Sequence, residues 1–232
     1  MTASPPRRRP GGTQPIPRPT AWRLGDGVRW PAARPVSAVD AATAVRDAGL
    51  AGQHLPTFPD ARPSAVLVAL VDGDSGAEVL LTKRSAHLRN HAGEISFPGG
   101  RLDVGETVEA AALREANEEV GLAPGEVRVF GRLSHLSTVV SRSSIVPVVG
   151  TLAKHPVLTP HDREVARILW VPLAELAHDA TYREEWWGSP PLDRQMDFFE
   201  LDDETIWGAT ARVLAELLSI VYGPPNVRTA TK

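Results

Sequence analysis

One stretch limits what this chain can fold into more than any other: Gly100 to Leu122, GRLDVGETVEAAALREANEEVGL. Its composition predicts a helix over Thr107 to Val120, Gly121 suits a left-handed cap, and Pro124 prevents continuation. The segment is therefore a loop, a helix and a loop. On that helix Glu115, Glu118 and Glu119 stand three and four residues apart, so the spacing predicts three carboxylates on one face. Like charges so placed repel by about 0.2–0.5 kcal/mol per pair unless a cation lies among them. Carboxylate oxygens suit a hard divalent ion, Mg²⁺ or Mn²⁺, and Mg²⁺ completes its shell with water and substrate phosphate oxygens. The plain alternative is a solvated, charge-laced helix, which fixes no spacing.

Composition sets the outer bounds. With 232 residues, 42% hydrophobic and 23% charged, the chain has material for one substantial core. A formal net charge of -3 leaves no electrostatic footprint for duplex nucleic acid, although a nucleotide-sized anion needs only a local basic patch. The chain has no cysteine, which excludes a disulfide framework, a thiolate metal site and a thiol nucleophile, and fits a cytoplasmic protein. No apolar h-region follows the basic N-terminal cluster and nowhere do 18 apolar residues run together, so neither secretion by that route nor a membrane span is expected.

Four regions are expected along the chain. Residues 1–20, rich in Pro, Arg and Gly, read as a disordered arm in which Arg7, Arg8 and Arg9 solubilise. Residues 21–63 read as an extension with a short helix over Val39 to Leu50, closed by Gly52. Residues 64–222 read as the main domain, and 223–232 as a frayed tail. Within the main domain, Ser64 to Val71 and Glu78 to Arg84, separated by the turn signal DGDSG, predict a hairpin or adjacent strands, and Val127 to Leu133, Ile145 to Gly150 and Ile168 to Val171 predict further strands. Ile206 to Val221 predicts a closing amphipathic helix. Glu185-Trp186-Trp187 leaves three alternatives open: core packing, pairing across a homodimer, or stacking on adenine.

Gly100, Glu106, Arg114-Glu115, Glu118-Glu119 and Gly121 together resemble the Nudix box, with Ala116 where that pattern prefers a larger aliphatic residue. The resemblance implies an α+β fold, an α/β/α sandwich around a central mixed β-sheet. It implies that Glu115, Glu118, Glu119 and the Gly99 carbonyl hold Mg²⁺ or Mn²⁺, that Glu106 and Arg114 pair as a brace, and that a diphosphate is hydrolysed. Catalytic work falls to Glu118 and Glu119, with Glu164 as first candidate for the general base.

Upstream, Leu80-Leu81-Thr82, Arg84-Ser85, Leu88-Arg89, His91, Gly93-Glu94 and Phe97 to Gly100 are similar to the segment that marks the coenzyme A pyrophosphatase branch of that family. The chain departs from the branch at Ala111 and at Arg142. Arg84, Arg89 and His91 are expected to bind the substrate, since positive donors just ahead of the metal helix suit an anion. A solvent-facing basic loop, or an Arg89–Glu94 pair, is the alternative for these residues, and His91 alone reads as a loop-ordering donor, a proton shuttle or a ligand. The implied products from coenzyme A are 4′-phosphopantetheine and adenosine 3′,5′-bisphosphate. Two rival readings are another diphosphate substrate, such as ADP-ribose, a dinucleotide or an oxidised nucleotide, and a non-catalytic ligand sensor.

Overall fold

The computed structural model describes residues 9–25, 28–30, 34–50, 60–88, 90–138, 142–223 and 226–227. Arg89, Arg7, Arg8 and Gly52 lie outside the described residues. In chain order the elements are β1 (Trp22–Leu24), β2 (Val28–Arg29), α1 (Ala38–Ala48), β3 (Arg62–Gly73), β4 (Gly76–Arg84), β5 (Ile95–Ser96), β6 (Gly99–Arg101) and α2 (Val108–Val120). There follow a single 3-10 turn (Pro124–Glu126), β7 (Val127–Arg132), β8 (Leu136–Thr138), β9 (Ser143–Leu152), β10 (Val165–Pro172) and α3 (Leu173–Leu176). The chain continues through β11 (Tyr182–Trp187), β12 (Arg194–Glu200), β13 (Thr205–Trp207), α4 (Gly208–Tyr222) and β14 (Asn226–Val227). Chain contacts divide these into two compact units, residues 35–173 and residues 1–34 with 174–232, rather than at the expected boundary of 63/64.

The 35–173 unit is built on a mixed sheet in the order β10-β4-β3-β9-β7. β3 runs parallel to β9 and antiparallel to β4, so it sits in the middle. Its apolar run explains that place, because a strand covered on both faces must be hydrophobic throughout. Ala65, Leu67, Ala69 and Val71 share one face and form a core with Val148, Leu152 and α2. From α2 come Ala111, Ala112, Ala116 and Val120, all with no exposed surface. These small side chains let the helix lie close to β3, and Ala116 fills its place without a larger residue. α1 packs on β3, β7 and β9 through Ala38, Ala41, Ala42 and Val45, none of which enters that core. Helices thus layer a central mixed sheet, the expected α+β arrangement.

Helix ends follow elementary capping chemistry. Thr107 caps α2, accepting a bond from the Ala110 N–H at 3.2 Å, and Gly121 takes a left-handed φ of 72°. Ser37 caps α1 in the same way, and Gly49 rather than Gly52 ends it, with φ 64°.

The second unit holds an antiparallel sheet, β1-β11-β12-β13, and α4. Ile206, expected in the closing helix, lies instead in β13, and α4 starts at Gly208. An extended φ of -148° at Trp207 keeps the helix from starting earlier. Of the expected arm, residues 9–20 are fixed rather than disordered. Gly11 N–H donates to the Leu201 carbonyl at 2.9 Å, Arg9 pairs with Glu175, and Arg18 binds Glu185 through Nε at 2.9 Å. Part of the expected frayed tail is paired too, since β14 is antiparallel to β2. Trp187 is buried, packs on Phe198 and Trp207, and donates its indole N–H to Glu185 at 2.6 Å. No helix among the described residues is long and apolar enough to cross a membrane.

Candidate active site

The site is assembled within the 35–173 unit from four pieces: α2, the turn from β6 into it, the end of β4, and the loop before β10. On α2, Ala112, Ala116 and Glu119 are four and three residues apart, so Glu119 lies on the sheet-facing side and is buried. Glu118, one residue or about 100° round the helix, points outward with its side chain 59% exposed. Glu115 is half-buried between them. The expected single face is therefore spread across roughly a quarter turn or more. Among the described residues no group of three acid or histidine side chains is arranged to hold a metal ion.

Arg114 accounts for that arrangement. Its Nε and Nη2 form a bidentate pair with Glu106 at 3.0 and 3.1 Å, and Nη2 also reaches the Arg101 carbonyl at 2.9 Å. Loop and helix are thereby tied together. The bond from Arg114, helped by the Asp103 N–H, holds the Glu106 carboxyl below its ordinary range. The same guanidinium uses Nη1 to draw in Glu115 at 3.0 Å and Glu118 at 3.2 Å. These bonds, Glu106 first, push the Arg114 pKa upward.

Glu119 is placed very differently. Among the described residues its carboxylate accepts one long hydrogen bond, 3.4 Å, from the Gly99 N–H, and the Arg84 Nη1 lies 3.9 Å away. Burial pushes its pKa up to about 7; Arg84 and the Gly99 N–H oppose this, while Glu115 and Glu164 add to it. Glu115 is likewise raised, by burial first and then by Glu118 and Glu164, against Arg114. The Glu164 charge thus acts on both helix carboxylates. Arg84 carries a buried Nε with no hydrogen-bond partner among the described residues.

Local backbone bonds explain how Glu164 reaches this place. Thr159 N–H donates to the Val120 carbonyl at 2.9 Å and His161 N–H to the Glu119 carbonyl at 2.8 Å, which fastens the late loop to the end of α2. Ser85 N–H donates to the Glu164 carbonyl at 2.8 Å, and Val165 pairs with Arg84 just before a register shift. A bulge of this kind re-aims the neighbouring side chain. Gly100 is required beside Glu115, because a Cβ there would lie 2.4 Å from its carboxylate carbon. At Gly99 a Cβ would come within 2.4 Å of the Ala65 carbonyl oxygen. The glycine pair is thus set by packing on both sides.

His91, the other described substrate-binding candidate, pairs with Glu94 through Nδ1 at 2.9 Å. That bond raises its pKa above the ordinary 6.5. Sequence reasoning named Glu94 only as an alternative partner of Arg89, and missed its bond to His91; the spacing of three residues was the available signal.

The donor set fits a hard divalent cation. The Glu115, Glu118, Glu119 and Glu164 charges act on one another, and the most buried of them, Glu119, accepts a single 3.4 Å hydrogen bond among the described residues. The Arg114–Glu118 pair is exposed and worth about 0.3–0.5 kcal/mol, so its carboxylate is free to turn toward a cation at little cost. An oxygen-only set of this kind suits Mg²⁺ or Mn²⁺.

Comparison with known proteins agrees with this geometry. Residues 61–193 match the NUDIX domain family. Nudix hydrolase 22, chloroplastic, of Arabidopsis thaliana is 39% identical over 175 residues, 71% of this chain and 57% of that protein. Nudix hydrolase 3 of Caenorhabditis elegans is 42% identical over 122 residues, 50% of each chain. The uncharacterized Nudix hydrolase NudL of Escherichia coli O7:K1 is 37% identical over 164 residues, 67% of this chain and 81% of its own. The chain spans about half the length of the first two of these relatives. The matched span contains β3 to β11 and every residue of the glutamate site, and on that basis the chain belongs to the Nudix family.

Proposed function

We propose that the chain is a metal-dependent hydrolase of a diphosphate bond, with coenzyme A or its derivatives as substrate. The observation that carries this reading is the buried, poorly hydrogen-bonded Glu119 carboxylate, 3.9 Å from Nη1 of Arg84, whose buried Nε has no hydrogen-bond partner among the described residues. A carboxylate in that state gains from a cation, and a buried guanidinium donor gains from an anion. Metal and phosphate together satisfy both.

Glu115, Glu118, Glu119 and the Gly99 carbonyl would hold the ion. When bound, Mg²⁺ or Mn²⁺ supplies charge neutralisation for the diphosphate and acidifies water. Glu164, whose charge acts on both Glu115 and Glu119, would accept the water's proton. Arg84 would orient the diphosphate, and the Glu106–Arg114 brace would keep loop and helix in place while attack occurs in line. Products from coenzyme A would be 4′-phosphopantetheine and adenosine 3′,5′-bisphosphate.

Leu80 to Gly100 supports the choice of coenzyme A, since its elements stand in the order and spacing of the coenzyme A branch. A substrate panel tests it. With Mg²⁺ or Mn²⁺, coenzyme A should be turned over in preference to dephospho-coenzyme A and ADP-ribose. Preference for either of the latter overturns the substrate; tight binding of a diphosphate with no hydrolysis of any overturns the activity.

A further inference from the structure

Between β4 and β5 the chain makes a loop that closes on its own base. The Arg84 N–H donates to the Glu94 carbonyl at 2.9 Å, and the Gly93 N–H to the Arg84 carbonyl at 3.1 Å. Within it His91 has a φ of 57°, the left-handed region that non-glycine residues leave unless their surroundings hold them there. Such positions concentrate at ligand clamps.

What holds His91 is Glu94, twice over. Its N–H donates to the His91 carbonyl at 3.3 Å and its carboxylate takes the ring Nδ1 at 2.9 Å. An ionised carboxylate only accepts, so Nδ1 carries the proton and the ring turns Nε2 away from Glu94. Nε2 has no hydrogen-bond partner among the described residues, and the side chain is 44% exposed.

We propose, resting on the coenzyme A reading above, that Glu94 is a positioning residue which sets His91 Nε2 as the recognition group for a phosphate monoester carried by the substrate beyond its diphosphate. Location argues for this division of labour. The loop that carries His91 closes on the Arg84 backbone, whose N–H bonds the Glu94 carbonyl and whose carbonyl takes the Gly93 N–H, while the Arg84 side chain brings Nη1 to 3.9 Å from the Glu119 carboxylate. Arg84 thus links the His91 loop to the glutamate helix. An anion seated at the glutamates meets Arg84, and His91 serves a second anion farther along the same molecule. A phosphate monoester carries about -1.5 to -2 charge near neutrality and presents three acceptor oxygens, the partner a protonated imidazole prefers. The Glu94 carboxylate favours that protonated ring.

The test is steady-state kinetics of the full chain with Mg²⁺, using coenzyme A and dephospho-coenzyme A, which lacks the monoester. His91→Asn, a residue that tolerates the left-handed region, and Glu94→Ala should each lower the ratio of kcat/KM for coenzyme A over dephospho-coenzyme A about tenfold, with the loss carried in KM. Glu94→Gln, which keeps an acceptor for Nδ1 without the charge, should fall between them and the unaltered chain. A loop that only supports the fold would lose both substrates alike. Equal losses on the two substrates, or a loss confined to kcat, overturn the proposal while leaving the coenzyme A reading intact. Failure of the unaltered chain to hydrolyse coenzyme A at all overturns that reading, and the monoester assignment falls with it.

Discussion

Glu119 sits where a carboxylate is least comfortable, and its discomfort is the most informative property of any single residue here. At 4% exposure it has lost its water, and one 3.4 Å bond and a guanidinium at 3.9 Å compensate only in part. Glu119→Gln or Glu118→Gln should cut turnover by about a hundredfold or more while leaving the fold intact, since each removes charge from the proposed cation site. Wild-type-like turnover with Mg²⁺ in either variant would contradict the role given to them. His91 supplies a second residue-scale prediction. NMR should find its imidazole titrating above 6.5, and Glu94→Gln should bring it back toward that value. Because the folded pKa is raised, the pair's contribution to stability is complete below the ordinary value and is lost as pH rises through the folded one. An unshifted His91 would remove the bond to Glu94 from the account. Much of this was legible in the sequence: Glu106, Arg114 and the glutamates stand at spacings that only a loop and helix can bring together. Unequal burial was not, because a three-and-four spacing predicts neighbours without saying which one turns toward the sheet.

Elements divide by the same logic. β3, β4 and β9 were readable because apolar runs between turn residues are what a doubly covered strand requires, and the edge strands β7 and β10 as shorter apolar stretches between turn residues. β11 and β12 were not, and their residues say why. Tyr182 to Trp187 buries Arg183, Glu184 and Glu185, and β12 buries Asp197 and Glu200, so charge interrupts the alternation that marks a half-buried strand. Those charges are tolerable because they satisfy one another: Arg183 binds Glu200 at 2.7 Å and also Glu185, which takes Arg18 and the Trp187 indole as well. Arg18 comes from a segment whose composition reads as disorder, which is why residues 9–20 went unrecognised as part of a packed unit. Arg18→Ala should therefore destabilise the chain by about 1–3 kcal/mol, the cost of leaving a buried acceptor short of a charged donor. Thermal or urea unfolding measures this, and an unchanged midpoint would mean that Arg183 and Trp187 suffice for Glu185. Gly100→Ala should be more damaging to activity than to folding, because the added Cβ meets the Glu115 carboxylate rather than the core.

At the scale of the whole molecule, two compact units were not anticipated, since the expected 64–222 domain runs through the point where the chain passes from one to the other at Leu173. Neither composition nor motif spacing marks that point, because α3 crosses it without a linker. All the glutamate chemistry nevertheless falls in the 35–173 unit, and binding there should register in overall stability. An ion that binds only the folded chain stabilises by about 2.7 kcal/mol at a hundred times its dissociation constant. Mg²⁺ or Mn²⁺ should accordingly raise the Tm of the unaltered chain and raise it less in Glu119→Gln; equal shifts would place the ion elsewhere. The claim on which everything else rests is that this site splits a diphosphate in coenzyme A. Identification of the phosphate products after incubation with coenzyme A and Mg²⁺ or Mn²⁺ tests it most directly. The account predicts 4′-phosphopantetheine and adenosine 3′,5′-bisphosphate in equal amounts, dependent on the metal and lost in Glu119→Gln; intact coenzyme A, or release of the 3′-phosphate alone, would contradict it.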